Sequence, residues 1–241
     1  MPIPRDQARR FDKCRSDHPR RPGNAAAATK PPPAATKPPP RTIDNVPTAA
    51  HATRPDKLHF TGNDKADTLL AADPVALLIG FVLDQQVSVQ KAFSGPLELK
   101  RRIGTLDPAH IAGMDAGELD AAFRERPALH RFPGAMAERT QELCAALASE
   151  YGGDASRIWR EAETGADLER RLLELPGVGP MKARSLIAIL VNRYGIRPAG
   201  WEEVAPKHPT LGDVDSPEAL EAYQAKKRAY KASRKAARAA K

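Results

Sequence analysis

One short stretch limits the fold more than any other. Leu175-Pro176-Gly177-Val178-Gly179-Pro180 lies between two segments whose apolar residues recur at helical spacing. Upstream, Leu168, Leu172, Leu173 and Leu175 mark the inner side of a helix expected over 167–175. Downstream, Ala183, Leu186, Ile187 and Leu190 do the same for a helix expected from Pro180 to Tyr194. Pro176 cannot continue the first helix, whereas Pro180 suits the first position of the second, where an N–H would have no partner anyway. So short a connection needs backbone angles that glycine adopts without a clash. Val178 can then plug the space between the two helices.

The rest of the chain also reads as helical. Aromatic residues make up only 5% of it and β-branched runs are rare, which favours an all-α protein. From Leu58 onward the helix starts are marked locally. Asp73-Pro74 is a cap followed by a first-position proline, with Val75, Leu78, Ile79 and Val82 as an apolar face behind it. That helix should stop near Asp84-Gln85-Gln86, and Ser88 can cap the next, through Ala92 and Phe93. Asp107-Pro108 and Asp115 look like two further starts. Pro133 opens a longer helix with Met136, Leu143, Ala146 and Leu147 facing inward, ended by Gly152-Gly153. Asp154 then starts a short helix through Ile158 and Trp159, and Ser216-Pro217-Glu218 opens the last one. No strand is expected.

Charge divides the chain into three parts. Residues 1–56 hold eleven Lys/Arg against five Asp/Glu, with a Thr-Lys-Pro-Pro-Pro near-repeat at 29–33 and 36–40. This basic Pro/Ala-rich stretch cannot form a core; it is expected to be disordered, as a DNA tether or a plain spacer. Residues 226–241 hold eight Lys/Arg and no acid, including Lys226, Lys227 and Arg228. They continue a helix of good propensity and little apolar face, expected to order on a polyanion. The intervening 57–225 are left with 25 acids against 19 bases. Cys14 and Cys144 have no Cys or His neighbour at ligand spacing, so neither a metal site nor an iron–sulfur cluster is expected. With no disulfide framework, no apolar leader and no apolar run long enough to span a bilayer, the expectation is a soluble, monomeric, cytoplasmic protein.

The hairpin also carries chemistry. The amides at the start of its second helix point outward with the positive end of a helix dipole behind them, which makes an anion site that needs no side chain. Gly177, Val178 and Gly179 are the candidate contacts, and Lys182, one turn in, can add a charge. An αα-hairpin used only for packing is the competing reading.

The segment Leu175–Leu190, LPGVGPMKARSLIAIL, resembles the helix-hairpin-helix-GPD superfamily of base-excision DNA glycosylases. Asp73–Ala92, DPVALLIGFVLDQQVSVQKA, is similar to that superfamily's first core helix and the Gln-containing turn after it, most of all in the alkylated-base branch. Phe132–Ala148 matches its Gly…Lys/Arg-Ala helix more weakly. Together these cover most of residues 65–220 in the family's order, and the core as a whole resembles an actinobacterial group of repair proteins.

The resemblance implies a two-lobed helical fold over 57–225, double-stranded DNA with a damaged base as partner, and hydrolysis of that base's N-glycosidic bond. The base has to leave the stack because its reacting bond is inaccessible inside it. Gln86, with Gln85 beside it, takes the position of the wedge that fills the gap. Those two can also simply bond the helix's own last carbonyls. The family's acid matches Asp215 in Val214-Asp215-Ser216, with Asp213 as the alternative; a carboxylate there stabilises an oxocarbenium-like sugar or positions water. Both aspartates also suit a capping role. Where bifunctional members carry a Schiff-base lysine this chain has Met181, and Lys182 lies about 100° further round the helix; the resemblance therefore implies a monofunctional enzyme. The stretch of 36 residues from Gly179 to Asp215 exceeds the family's usual spacing, through a loop at 195–213 carrying Trp201, Glu202, Glu203 and His208. Trp201 and Tyr194 are candidates for stacking on a base or for packing; His130 and His208 have no partner visible in sequence. A non-catalytic DNA-binding or lesion-sensing protein is the alternative function.

Overall fold

The apolar helix after Asp73 has no solvent face at all. In the computed structural model, which describes residues 54–239, every residue from Val75 to Leu83 is buried. This helix, α2 (Pro74–Leu83), forms the axis of the core. Asp73 starts it by accepting from the amides of Val75 and Ala76, an N-cap of about 1 kcal/mol. The same residue bends the chain by 114° from α1 (Asp64–Ala72). α3 (Val89–Ile103), capped by Ser88, packs along α2 closely enough that a Cβ on Gly80 would stand 2.6 Å from the Phe93 ring. Phe93 meets Phe60 and Phe81 edge-on, both at 5.1 Å.

The remaining helices are α4 (Pro108–Gly113), α5 (Ala116–Arg124), α6 (Pro133–Tyr151), α7 (Arg157–Arg160), α8 (Gly165–Glu174), α9 (Pro180–Tyr194), α10 (Trp201–Val204) and α11 (Pro217–Ala239), with a 3-10 turn at Leu211–Asp213. The described residues are therefore all-α; they contain no strand, only one isolated bridge between Thr164 and Ala199. α6 packs on α2, α4 and α5, and α8 packs on α7, α9 and α10. No single described helix is long and apolar enough to cross a membrane.

Several expectations change. The chain at Leu58 is not yet helical. Leu58 and Phe60 insert into the core from an irregular segment held by Asp67, whose carboxylate accepts from the amides of Phe60 and Thr61 at 3.1 and 3.0 Å. Leu173, one position and about 100° round the helix from the buried Leu172, is 40% exposed; Leu168 and Leu175 are buried. The stretch 195–213 is a structured strap rather than an open loop. The Gly165 amide donates to Ala199 at 2.8 Å, and a Cβ on Gly165 would meet the Gly200 carbonyl oxygen and Trp201 Cα at 2.7 Å. α11 runs as one helix over Pro217–Ala239, and its first turns are docked through Leu220 and Tyr223. The Pro-rich tail and Cys14 lie outside the described residues.

Candidate nucleic-acid interface

The hairpin turn rests on the end of α2. Gly177 has φ +78°, the left-handed region, and a Cβ there would meet Val82 Cγ2 at 3.3 Å. Val178 is buried between α8 and α9. Gly179 is exposed like Gly177 but differs from it in backbone and surroundings. Its φ is −91°, it is exposed, and a Cβ on it would find nothing within 4 Å. It stands at the N-cap of α9 with no side chain capping the helix. The amides of Lys182 and Ala183 turn back to the Gly179 carbonyl at 2.9 and 3.0 Å. Among the described residues the amides of Gly179 and Met181 have no acceptor, and Met181 is 65% exposed beside them.

Lys182 does not stand free. Its Nζ donates to the Gly177 carbonyl at 3.1 Å and reaches the Val82 carbonyl at 3.5 Å, tying the hairpin to the C-terminal end of α2. Burial pushes its amine below the ordinary lysine value, with Asp84 opposing and Arg139 adding to the shift.

The Gln85-Gln86 turn is built with more support than a helix end requires. Both ends of the Gln85 side chain are engaged: its Nε2 donates to the Val82 carbonyl at 3.1 Å and its Oε1 accepts from Arg139 at 2.7 Å. The Gln85 carbonyl lies 2.8 Å from Nε2 of His130, which is 1% exposed, and His130 Nδ1 accepts from the Phe132 amide at 3.1 Å. These two bonds put the imidazole proton on Nε2. Gln86 follows with φ +56°, the one positive-φ residue other than glycine among those described, and its side chain is exposed. The two glutamines, paired in sequence, therefore separate: Gln85 braces and Gln86 projects. Sequence reasoning missed His130 and Arg139, because their partner lies 45 and 54 residues away and nothing local marks it. It also missed Phe132, an aromatic 43% exposed that packs beside His130 and under the Arg131 guanidinium.

The two candidate acids also separate. Asp213 is part of a capping box: its Oδ2 accepts from the Thr210 amide at 2.7 Å, and its Oδ1 from Asn192 at 3.2 Å. Gly212 presses this turn flat on α9, where a Cβ would stand 2.5 Å from the Ala188 carbonyl carbon. Asp215 lies beyond it, exposed, before Ser216, whose hydroxyl accepts from the Ala219 amide and caps α11; among the described residues Asp215 makes no hydrogen bond or ion pair through its carboxylate. Met181, Ser185, Ala188 and Asn192 recur at helical spacing, so the turn carrying Asp213 lies on the face of α9 that begins at Met181.

The other candidates take structural or peripheral places. The Tyr194 hydroxyl donates to Leu70 and Ala71 at the end of α1, and burial raises its pKa to about 12. Burial likewise pushes the Cys144 thiol up to about 12, which leaves it unreactive. Lys226 and Arg228 are exposed on α11, and Lys227 lies 5.5 Å over the Tyr223 ring. Among the described residues no three His, Cys, Asp or Glu side chains are placed to hold a metal ion. No protein-family model, curated protein or solved structure matches the chain.

Proposed function

We propose that the chain is a monofunctional DNA glycosylase that holds duplex DNA by its hairpin, replaces an extruded damaged base with Gln86 and hydrolyses the N-glycosidic bond with help from Asp215. The observation that carries this reading is Gly179. Neither its φ nor any internal neighbour needs a glycine there, so what the missing side chain leaves open is the approach of an outside group to the backbone. Bare amides at a helix N-terminus favour a phosphate as that group. The placement of the hairpin against the Gln85-Gln86 turn supports the rest, since a phosphate grip and a projecting side chain then belong to one surface. The exposed Phe132 and Met181 add apolar groups suited to unstacked bases. This reading takes the described helices as the two-lobed glycosylase arrangement with a helix-hairpin-helix, with Lys226, Lys227 and Arg228 as further phosphate contacts.

Asp215 is the better placed of the two acids, because both oxygens of Asp213 are already engaged, one within its own turn and one by Asn192 of α9. A carboxylate close to C1′ stabilises the positive charge that develops as the base departs. Water supplies the new bond to C1′, the base leaves with the electron pair of the broken bond, and an abasic site remains. The exposure of Asp215 favours the second reading, a DNA-binding or lesion-sensing protein without chemistry. One experiment separates the two: cleavage of a panel of duplexes, each with one damaged base, by the parent chain and by Asp215→Asn and Asp213→Asn. The glycosylase reading expects Asp215→Asn to lose at least about a hundredfold in rate with binding retained, while Asp213→Asn lowers stability first. Borohydride should trap no covalent complex. A parent chain that binds duplexes and cuts none of the panel would establish the second reading.

A further inference from the structure

A cavity of about 450 Å³ lies between the C-terminal half of α9, the strap and α11. Its floor is apolar, from Ala188 and Val191, and Trp201 lines it from the strap. Lys207 of the strap and Lys226 of α11 bring cations to it from two separate elements, and the His208 ring lies beside them. Asp213 is the one carboxylate among the lining residues, and both its oxygens are engaged, by the Thr210 amide and by Asn192. Two lysine charges stand against that single carboxylate, so the net charge offered to a ligand is positive. Arg197 covers one face of the Trp201 ring, its guanidinium 5.6 Å from the centre, and is not among the residues that line the cavity.

Asn192 decides the kind of ligand. A carboxylate can only accept, so the Asp213 contact fixes which end of the Asn192 amide is nitrogen. One amide N–H and the Oδ1 carbonyl remain, a donor and an acceptor in one plane. That pair matches the edge of a nucleobase, an indole offers the face on which a base stacks, and lysines suit a phosphate. The volume is in the range of small-ligand sites, roughly 300–1,000 Å³.

We propose that this cavity binds a single nucleotide monophosphate, with its base on Trp201, its base edge at Asn192 and its phosphate between Lys207 and Lys226. A free nucleotide and a nucleotide carried by a DNA strand share this chemistry. The site does not depend on whether the chain cleaves DNA.

Trp201 supplies its own readout. The only other tryptophan, Trp159, is 7% exposed on α7, so Trp159→Phe leaves one indole that reports on the cavity. The full chain carrying that change is titrated with deoxyadenosine monophosphate, with deoxyadenosine and with a short oligo-deoxyadenylate while Trp201 emission is followed. Saturable quenching by the monophosphate is expected, with deoxyadenosine weaker by roughly a hundredfold, about tenfold for each of the two charge-assisted contacts. Lys207→Ala and Lys226→Ala should each weaken the monophosphate by about tenfold, the worth of a single contact, and leave deoxyadenosine unchanged. Equal affinity for monophosphate and oligonucleotide identifies a free nucleotide as the ligand; binding of the oligonucleotide alone identifies a strand. No saturable change with either, in protein whose circular dichroism is unaltered, overturns the proposal, as does quenching that both lysine substitutions leave untouched. None of these outcomes bears on cleavage of a damaged duplex, so the site and the glycosylase reading stand or fall separately.

Discussion

Gly177 and Gly179, on either side of Val178, are glycines for opposite reasons, and substitution separates them. Gly177 holds a left-handed backbone over Val82, so Gly177→Ala strains the chain by about 1–2 kcal/mol and crowds a neighbour at 3.3 Å. Urea unfolding should show a lower midpoint with an unchanged slope. Gly179 has an ordinary φ and open space where a Cβ would go. Gly179→Ala should therefore keep its unfolding midpoint within about 0.5 kcal/mol, the usual range for a surface change. Its binding to duplex DNA should nonetheless weaken, because the added methyl stands where a phosphate would approach the amides. Parent-like affinity in Gly179→Ala would remove the main support for the DNA reading. A comparable division holds at Gln85 and Gln86, where one side chain is tied at both ends to the protein and the other projects from a left-handed backbone.

At the scale of the element, what could be read from the sequence is what is marked locally. Asp73, Ser88, Asp107, Asp115, Pro133 and Pro180 each announce a helix within three residues of its first turn, and the helices start there. The hairpin belongs to the same class of feature. What could not be read depends on distant partners. His130 looks like a lone surface histidine until the chain brings it to the Gln85 carbonyl. The strap at 195–213 has no apolar periodicity to betray it, because backbone at Gly165 and Gly200 anchors it rather than a stripe of side chains. The 3-10 turn that ends it is held in the same way, by Gly212 lying flat on Ala188. The Ala188 backbone cannot yield as a flexible side chain would, so Gly212→Ala should cost about 3 kcal/mol, the upper range for overpacking. The turn also carries Asp213 and sets where Asp215 lies. Thermal unfolding should thus show a lower Tm, and duplex cleavage measured well below that Tm should fall with it. A Gly212→Ala protein as stable as the parent would mean that α9 and the turn are not packed as described.

For the whole molecule the question is how a chain with an acidic middle holds a polyanion. Its formal charge is +8, and residues 226–241 alone carry eight positive charges and no acid, so removing them brings the net charge to zero. Among the described residues the buried and half-buried apolar contacts of α11 come from Ala219, Leu220 and Tyr223, and a further tie runs from Gln224 to Gln90 at 3.0 Å. From Ala225 to Ala229 the helix is exposed apart from Lys227. Ending the chain after Ala225 should therefore change Tm by no more than a degree or two, since the docked turns remain. Its effect on DNA should be large and of a particular kind. Each phosphate neutralised adds about 0.9 to the slope of log K against log salt, so loss of Lys226, Lys227 and Arg228 should make that slope shallower by about 2–3. Affinity should fall for every duplex alike, damaged or not, because phosphate contacts carry no sequence or lesion information. Lesion preference should survive the truncation, since the residues proposed to act at an extruded base lie in the turn after α2, on α9 and in the turn before α11. A truncated chain with an unchanged salt slope would place the DNA elsewhere on the molecule; one that lost its preference while keeping its slope would make the basic helix part of the recognition itself.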